Sequence, residues 1–314
     1  MRAVTIRDRQ VSVEEHPDPE AGAGEVLVRV MAAGLNGADM MQLRGFYPAP
    51  AGAPQDIPGL ELAGEVIARG PGANRFHDGD RVMGIVAGGA QAELAVVHER
   101  ILMAVPDELD PVCAGATPEV FTTAYDALFT QAGMKPGERL LVHGGAGGVG
   151  TAAIQIAHAA GAQVTATVRN PDLHDAVSEF GARVIAPEGF AEHGPFDVIL
   201  ELVGAPNLPD NVAALALQGR IVVIGIGAGA TAELNLRDLM QKRGRIQAST
   251  LRPRPLEEKA LTARALERSV LPMLASRSVR VPVAATYALA EARQAYDHFA
   301  GGGKLGKIVL TIAD

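Results

Sequence analysis

Residues 138–160, ERLLVHGGAGGVGTAAIQIAHAA, decide the fold. An apolar run at 140–142 meets five glycines within 144–150, and an apolar stretch of helical length follows. That pattern is a strand, a tight turn and the opening of a helix. Within the turn Gly145, Gly147 and Gly150 are spaced G-x-G-x-x-G, as in a dinucleotide phosphate turn. Gly145 is expected to allow the turn, Gly147 to remove the Cβ that would hold a pyrophosphate off the backbone, and Gly150 to let the helix pack on the strand. Gly148 and Val149 lie on the same turn, where helix amides and the positive helix end face phosphates. Further along, QVTATV, RVIA, FDVILELVG, GRIVVIGI and RIQAST alternate with helix-length segments such as PDLHDAVSEFGA and NVAALALQ. About six strands with crossover helices predict an α/β fold with a doubly wound parallel sheet of Rossmann type.

The chain before this sheet has another texture. Residues 1 to about 118 carry short apolar runs, RAVTI, EVLVRVMAAGL, ELAGEVIARG and RVMGIV, broken by loops dense in Pro and Gly. Such spacing predicts an antiparallel or barrel-like β domain. After Leu251 comes RPRP and then a long amphipathic helix, and KLGKIVL near the end reads as a strand returning to the first domain. The expected division is a β-rich catalytic domain from 1–118 with 252–314, and a nucleotide-binding domain from 119–251.

Composition narrows the function. A net charge of −8 gives no overall basic field, so nucleic acid is a poor partner. A single cysteine, Cys113, excludes an intrachain disulfide and a cysteine-rich zinc lobe, and reads as buried filler. MRAVTIRDRQ shows no export signal, and no membrane segment is expected, which makes the cytoplasm the expected compartment. The histidines form no H-x-x-x-H pair. In the NAD-preferring turn an acidic residue ends the second strand; here QVTATV is followed by Arg169 and Asn170. A cation there can pair with a 2′-phosphate, so NADPH is expected over NADH, with NADH possible.

AAGLNGADMMQLRGFYP, IPGLELAGEV, GDRVMGIV, TPEVFTTAYDAL, LLVHGGAGGVG and GKIVL, in that order, resemble the medium-chain dehydrogenase/reductase superfamily over essentially the whole chain. The resemblance is to its zinc-free, zeta-crystallin-like quinone oxidoreductase branch. DIPGLELAGEV with STLRPRP is most similar to the tumour-suppressor-inducible quinone oxidoreductase subgroup. It implies a GroES-like β-rich catalytic domain beside the Rossmann sheet, with the cofactor in the cleft between domains. Zinc-dependent relatives place Cys and His where this chain has Asn36 and Leu60, and Glu61 alone is not a metal site.

A metal-free hydride transfer to a quinone or an α,β-unsaturated carbonyl is therefore expected. The resemblance puts Asn36, Tyr47 and Thr123 at the reacting centre, and Gly225, Ile226, Thr250, Leu251 and Lys307 against the cofactor. Two departures stand out: Leu173 and Pro187 replace a lysine and a tyrosine that relatives offer to the 2′-phosphate, which leaves Arg169 nearly alone. It also implies a homodimer through the sheet edge at RIQAST. Alternatives are an enoyl-thioester or alkenal reductase, using Arg252 and Arg254 for a phosphorylated carrier, and a non-catalytic nucleotide-binding protein of crystallin or RNA-binding type.

Overall fold

The structure, a computed structural model, describes residues 1–312. In chain order the strands are β1 (Arg2–Arg7), β2 (Gln10–Glu15), β3 (Glu25–Gly34), β4 (Glu61–Arg69), β5 (Arg81–Ile85), β6 (Leu94–His98), β7 (Leu102–Ala104), β8 (Arg139–His143), β9 (Gln163–Thr167), β10 (Ala182–Ile185), β11 (Phe196–Glu201), β12 (Leu215–Val223), β13 (Arg245–Ala248), β14 (Val283–Ala288) and β15 (Lys307–Thr311). Contacts divide the chain into two compact units, Met1–Thr122 with the segment from Leu251 onward, and Thr123–Thr250.

The second unit holds the parallel sheet, in the order β10-β9-β8-β11-β12-β13. Counted from β8 this is 3-2-1-4-5-6, the order of dinucleotide-binding folds. Leu140, Leu141 and Val142 on β8 and Val198, Ile199 and Leu200 on β11 are all fully buried. That is why these strands read as unbroken apolar runs: helices cover both sheet faces. Each such side chain contributes about 1.5–3 kcal/mol of burial. The order reverses between β8 and β11, so a ligand crevice is expected at their carboxyl ends.

One segment departs from expectation. NVAALALQ was read as a helix, but the helix Leu208–Ala213 stops before it ends and β12 begins at Leu215. Leu215 pairs with Phe196, Gln218 takes a φ of 63°, and the ladder resumes at Arg220 opposite Val198. Leu215 is fully buried in a cluster with Phe196, Ile199 and Ile221, so strand pairing overrides its helical preference.

The first unit contains the ribbon β1-β2 and, among the described residues, a seven-stranded sheet ordered β14-β15-β3-β4-β5-β7, with β6 also on β3. It is antiparallel apart from the β14-β15 pair. The strand near the chain end joins the first unit: Val309, Leu310 and Thr311 of β15 pair with Gly34, Ala33 and Ala32 of β3. The helix expected after Leu251 is interrupted, running as Leu256–Ser269 and Leu271–Ala275. Pro272 has no N–H to continue the first ladder. Because β4, β3 and β15 are neighbours, Glu61 at the start of β4, Asn36 just past β3 and Lys307 at the start of β15 are drawn together. No described helix is long and apolar enough to cross a membrane.

Candidate active site

The glycine turn is built as a phosphate cradle, with one role redistributed. The left-handed residue is Gly144, with φ 69°, so it makes the tight turn that Gly145 was expected to make. A Cβ on Gly145 would lie 2.8 Å from the Ala166 Cβ of β9; its task is close packing. A Cβ on Gly150 would lie 2.3 Å from the Gly144 carbonyl oxygen, the expected helix contact. Gly147 caps the helix Gly148–Ala159, and a Cβ there would meet only the Gly144 oxygen, at 3.4 Å. In front of it, the first-turn amides of Gly148 and Val149 have no acceptor within the helix. An open main-chain face with unsatisfied donors at a helix N-terminus fits a dinucleotide diphosphate.

Two loops border this turn. Gly225, past β12, would press a Cβ to 2.1 Å from the Leu202 oxygen, so the loops after β11 and β12 touch through bare backbone there, and Ile226 beside it is exposed. A buried polar network fixes the first of these loops. His143 Nε2 and Asn211 Oδ1 are 2.8 Å apart, Asn211 Nδ2 donates to Glu201 Oε2 at 2.8 Å, and Glu201 Oε1 accepts the amides of Val203 and Gly204 at 2.6 and 2.8 Å. Burial holds the imidazole below its ordinary titration range. Arg169 is exposed just past β9, and Asn170 accepts the Asp172 amide at 3.1 Å. No motif among the histidines singles out His143; its place at the end of the strand before the glycine turn is the available signal.

In the first unit the buried centre is Glu61. Its carboxylate accepts Asn36 Nδ2 at 2.9 Å, Lys307 Nζ at 2.6 Å and the Glu119 amide at 2.8 Å. Gly34 leaves the room, since a Cβ there would sit 2.4 Å from Glu61 Oε1. Lys307 donates also to the Leu35 carbonyl and to Asn36 Oδ1, each at 2.6 Å. All three ammonium donors are therefore used, and Lys307 lies under Asn36 with none left for a cofactor, contrary to expectation. Asn36 is similarly committed: its second amide hydrogen goes to Gly34 O at 3.2 Å, so it has no N–H for a substrate carbonyl. Its backbone amide donates to Asp39 at 2.8 Å; burial pushes the Asp39 carboxyl up to about 6.

The remaining expected residues divide. Tyr47 lies under the Arg252 guanidinium, 5.2 Å from the ring centroid, and its hydroxyl has no partner among the described residues. Arg252 is buried and donates to Ala87 O, Tyr47 O and Gln42 Oε1 at 2.7, 2.9 and 2.7 Å, which removes it as a carrier-binding cation. Thr123 is inside the helix Pro118–Tyr125, not at its cap, and its buried hydroxyl is unpartnered, as is that of Thr122. Thr250 is exposed past β13, while Leu251 is buried and lines a small cavity with Ile85, Thr122 and Lys259. Cys113 is half-buried, not buried; burial and then Asp110 push its thiol up to about 11, so it stays protonated and inert. Glu119, which no sequence motif singles out, donates its backbone amide to Glu61, and burial followed by the Glu61 charge pushes its carboxyl up to about 8.

A zinc ion does not fit. Asn36 and Leu60 replace thiolate and imidazole, Glu61 already accepts three donors, and no group of three His, Cys, Asp or Glu is poised for a metal among the described residues.

Residues 22–107 match the alcohol dehydrogenase GroES-like domain family, and residues 148–267 match the zinc-binding dehydrogenase family, a span outside Asn36, Leu60 and Glu61. The quinone oxidoreductase of Lama guanicoe is 32% identical over 302 residues, covering 92% of this chain and 89% of its own length. The chain belongs to the medium-chain dehydrogenase/reductase superfamily, in its quinone oxidoreductase branch. Acryloyl-coenzyme A reductase of Metallosphaera sedula is 28% identical over 346 residues, 99% of this chain and 100% of that one. Erythronolide synthase EryA2 of Saccharopolyspora erythraea is 35% identical over 316 residues, 96% of this chain, but the chain spans only 8% of that protein. Mycobacterial Rv1454c, solved with NADPH, is 27% identical with a TM-score of 0.88, covering 99% of this chain and 100% of that one. This superfamily member is an oxidoreductase that takes a nicotinamide cofactor and a small-molecule substrate.

Proposed function

We propose that the chain is a zinc-independent, NADPH-dependent reductase of quinones or α,β-unsaturated carbonyls. The observation that carries the reading is the pairing of an open phosphate turn at Gly147–Val149 with a first-unit centre whose zinc position is filled by the Lys307–Glu61–Asn36 bonds. Without a metal to polarise oxygen, the acceptor must already be electrophilic. Bound NADPH supplies the hydride. The chain's residues orient it: amides of Gly148 and Val149 hold the diphosphate, Arg169 and Asn170 meet the 2′-phosphate and ribose, and Gly225, Ile226, Thr250 and Leu251 border the remainder. The orphan Thr123 and Tyr47 hydroxyls are the free donors toward cofactor and acceptor, while Asn36 acts as a positioning residue.

In this reading 1–118 with 252–314 form the catalytic domain and 119–251 the cofactor domain. A homodimer through the edge strand β13 is part of it, supported by exposed Leu236 and Met240 on the preceding helix. The protonated single thiol and the charge of −8 suit a cytoplasmic setting without nucleic acid. An enoyl-thioester substrate is the second reading, favoured by the acryloyl-coenzyme A reductase relative and opposed by the commitment of Arg252. Stopped-flow oxidation of NADPH against quinones, enones and an enoyl-coenzyme A tests these together. Turnover with the first two classes and not the third is expected; no turnover with any acceptor refutes the reading.

A further inference from the structure

A small cavity of the first unit is bordered by two polar groups that the fold leaves idle. It lies among the helix Leu256–Ser269, strands β5 and β7 and the helix Pro118–Tyr125, and every residue around it belongs to that unit. Ile85, Ile101, Met103 and Leu251 make its walls apolar. Thr122 borders it at 3% exposure, and its buried hydroxyl has no hydrogen-bond partner. Lys259 borders it as well, and its ammonium has neither an acceptor nor a carboxylate among the described residues. Other partly buried cations are paired, Arg220 with Glu138 and Arg264 with Glu267. Lys259 has no such choice on its own helix, where the positions three and four residues away are Pro255, Leu256, Thr262 and Ala263. Burial, and then the Arg252 charge, hold its ammonium below the ordinary lysine range.

A buried donor without a partner in a native fold marks a place for a water, an ion or a ligand. Few polar groups on an otherwise apolar lining is the composition of a ligand site. An ammonium and a hydroxyl match the two oxygens of a carboxylate, and the walls match an alkyl chain. Water or an inorganic anion would satisfy the donors and leave the apolar walls unused. With its open mouth the cavity measures about 290 Å³, at the foot of the range of about 300–1,000 Å³ for drug-sized ligands, so the occupant is limited to a few carbons. We propose that this cavity binds a short-chain aliphatic carboxylate, its head on Lys259 Nζ and Thr122 Oγ1 and its chain against Ile85, Ile101, Met103 and Leu251. Such a site needs no turnover and stands whether or not the chain reduces quinones.

The test titrates propionate into the full chain at pH 7 and follows the methionine methyls by NMR of isotope-labelled protein, with Met103 identified from Met103→Leu. Met103 is buried against the cavity, so its methyl reports on this site. Its resonance should shift saturably with a millimolar Kd, the scale for so small a ligand. Propionamide, which lacks the charge, and chloride, which lacks the chain, should each bind about tenfold more weakly or worse. Lys259→Gln should weaken propionate about 10- to 100-fold and Thr122→Val about two- to tenfold, the worth of a charged and of a neutral hydrogen bond. A Met103 methyl that propionate leaves unmoved, propionamide or chloride binding as well as propionate, or Lys259→Gln titrating like wild type overturns the proposal. The first two of these outcomes are read on the wild-type chain, so they decide the matter even if a substitution disturbs folding.

Discussion

Replacing Lys307 by Met tests the idea that a lysine ammonium, not a metal, organises the first unit. The side chain is buried, and its loss leaves Glu61, Asn36 Oδ1 and the Leu35 carbonyl each short of a donor held at 2.6 Å. Breaking one partner out of a buried ion pair costs about 3–5 kcal/mol. At about 2–4 °C per kcal/mol, that predicts a fall in Tm of roughly 6–20 °C. The cost is mainly the stranded Glu61 charge, so Lys307→Met with Glu61→Gln should regain much of it, with a coupling energy of about 2 kcal/mol or more. The assay is urea unfolding at pH 7 by circular dichroism over the double-mutant cycle, fitted to the transition of the first unit. Lys307→Met within about 1 kcal/mol of wild type, or two single effects that simply add, would refute the reasoning.

Gly147→Ala should keep the wild-type Tm, because its Cβ meets only one oxygen at 3.4 Å, yet raise the NADPH Kd at least tenfold by calorimetry; Gly150→Ala, at 2.3 Å from the Gly144 oxygen, should lose stability as well. Arg169→Ala should weaken NADPH by roughly 10- to 100-fold, the worth of a charge-assisted bond, and leave NADH within twofold in the same titration. His143 stays neutral in the fold, its titration held below 6.5 by burial, so below pH 6.5 the unfolded chain takes up the proton first and stability falls with pH. His143→Gln should flatten that loss in Tm measured from pH 7 to pH 5.

The parallel sheet was legible because its central strands β8 and β11 are buried on both faces and so read as apolar runs beside the glycine turn. The strand at 215–218 was not, since Leu215 is fixed by its pairing with Phe196, a contact that local sequence does not encode. The site residues divide by the same logic. Gly147 and Gly150 follow from local geometry. Lys307 and Asn36 were seen as polar residues in the right motifs, but their direction depends on β15, β3 and β4 lying side by side, which brings together positions 271 residues apart in sequence. Glu119 shows the same limit: an acid after Pro at a helix start reads as a dipole partner, whereas burial and then the Glu61 charge beside it push its carboxyl up to about 8.

The most direct measurement is a single-turnover reaction of NADPH with a quinone acceptor, run on protein dialysed against chelator and again with zinc added back. The account predicts identical rate constants in both, with the hydride delivered to the acceptor in full. A rate that collapses on chelation and returns with zinc would contradict it.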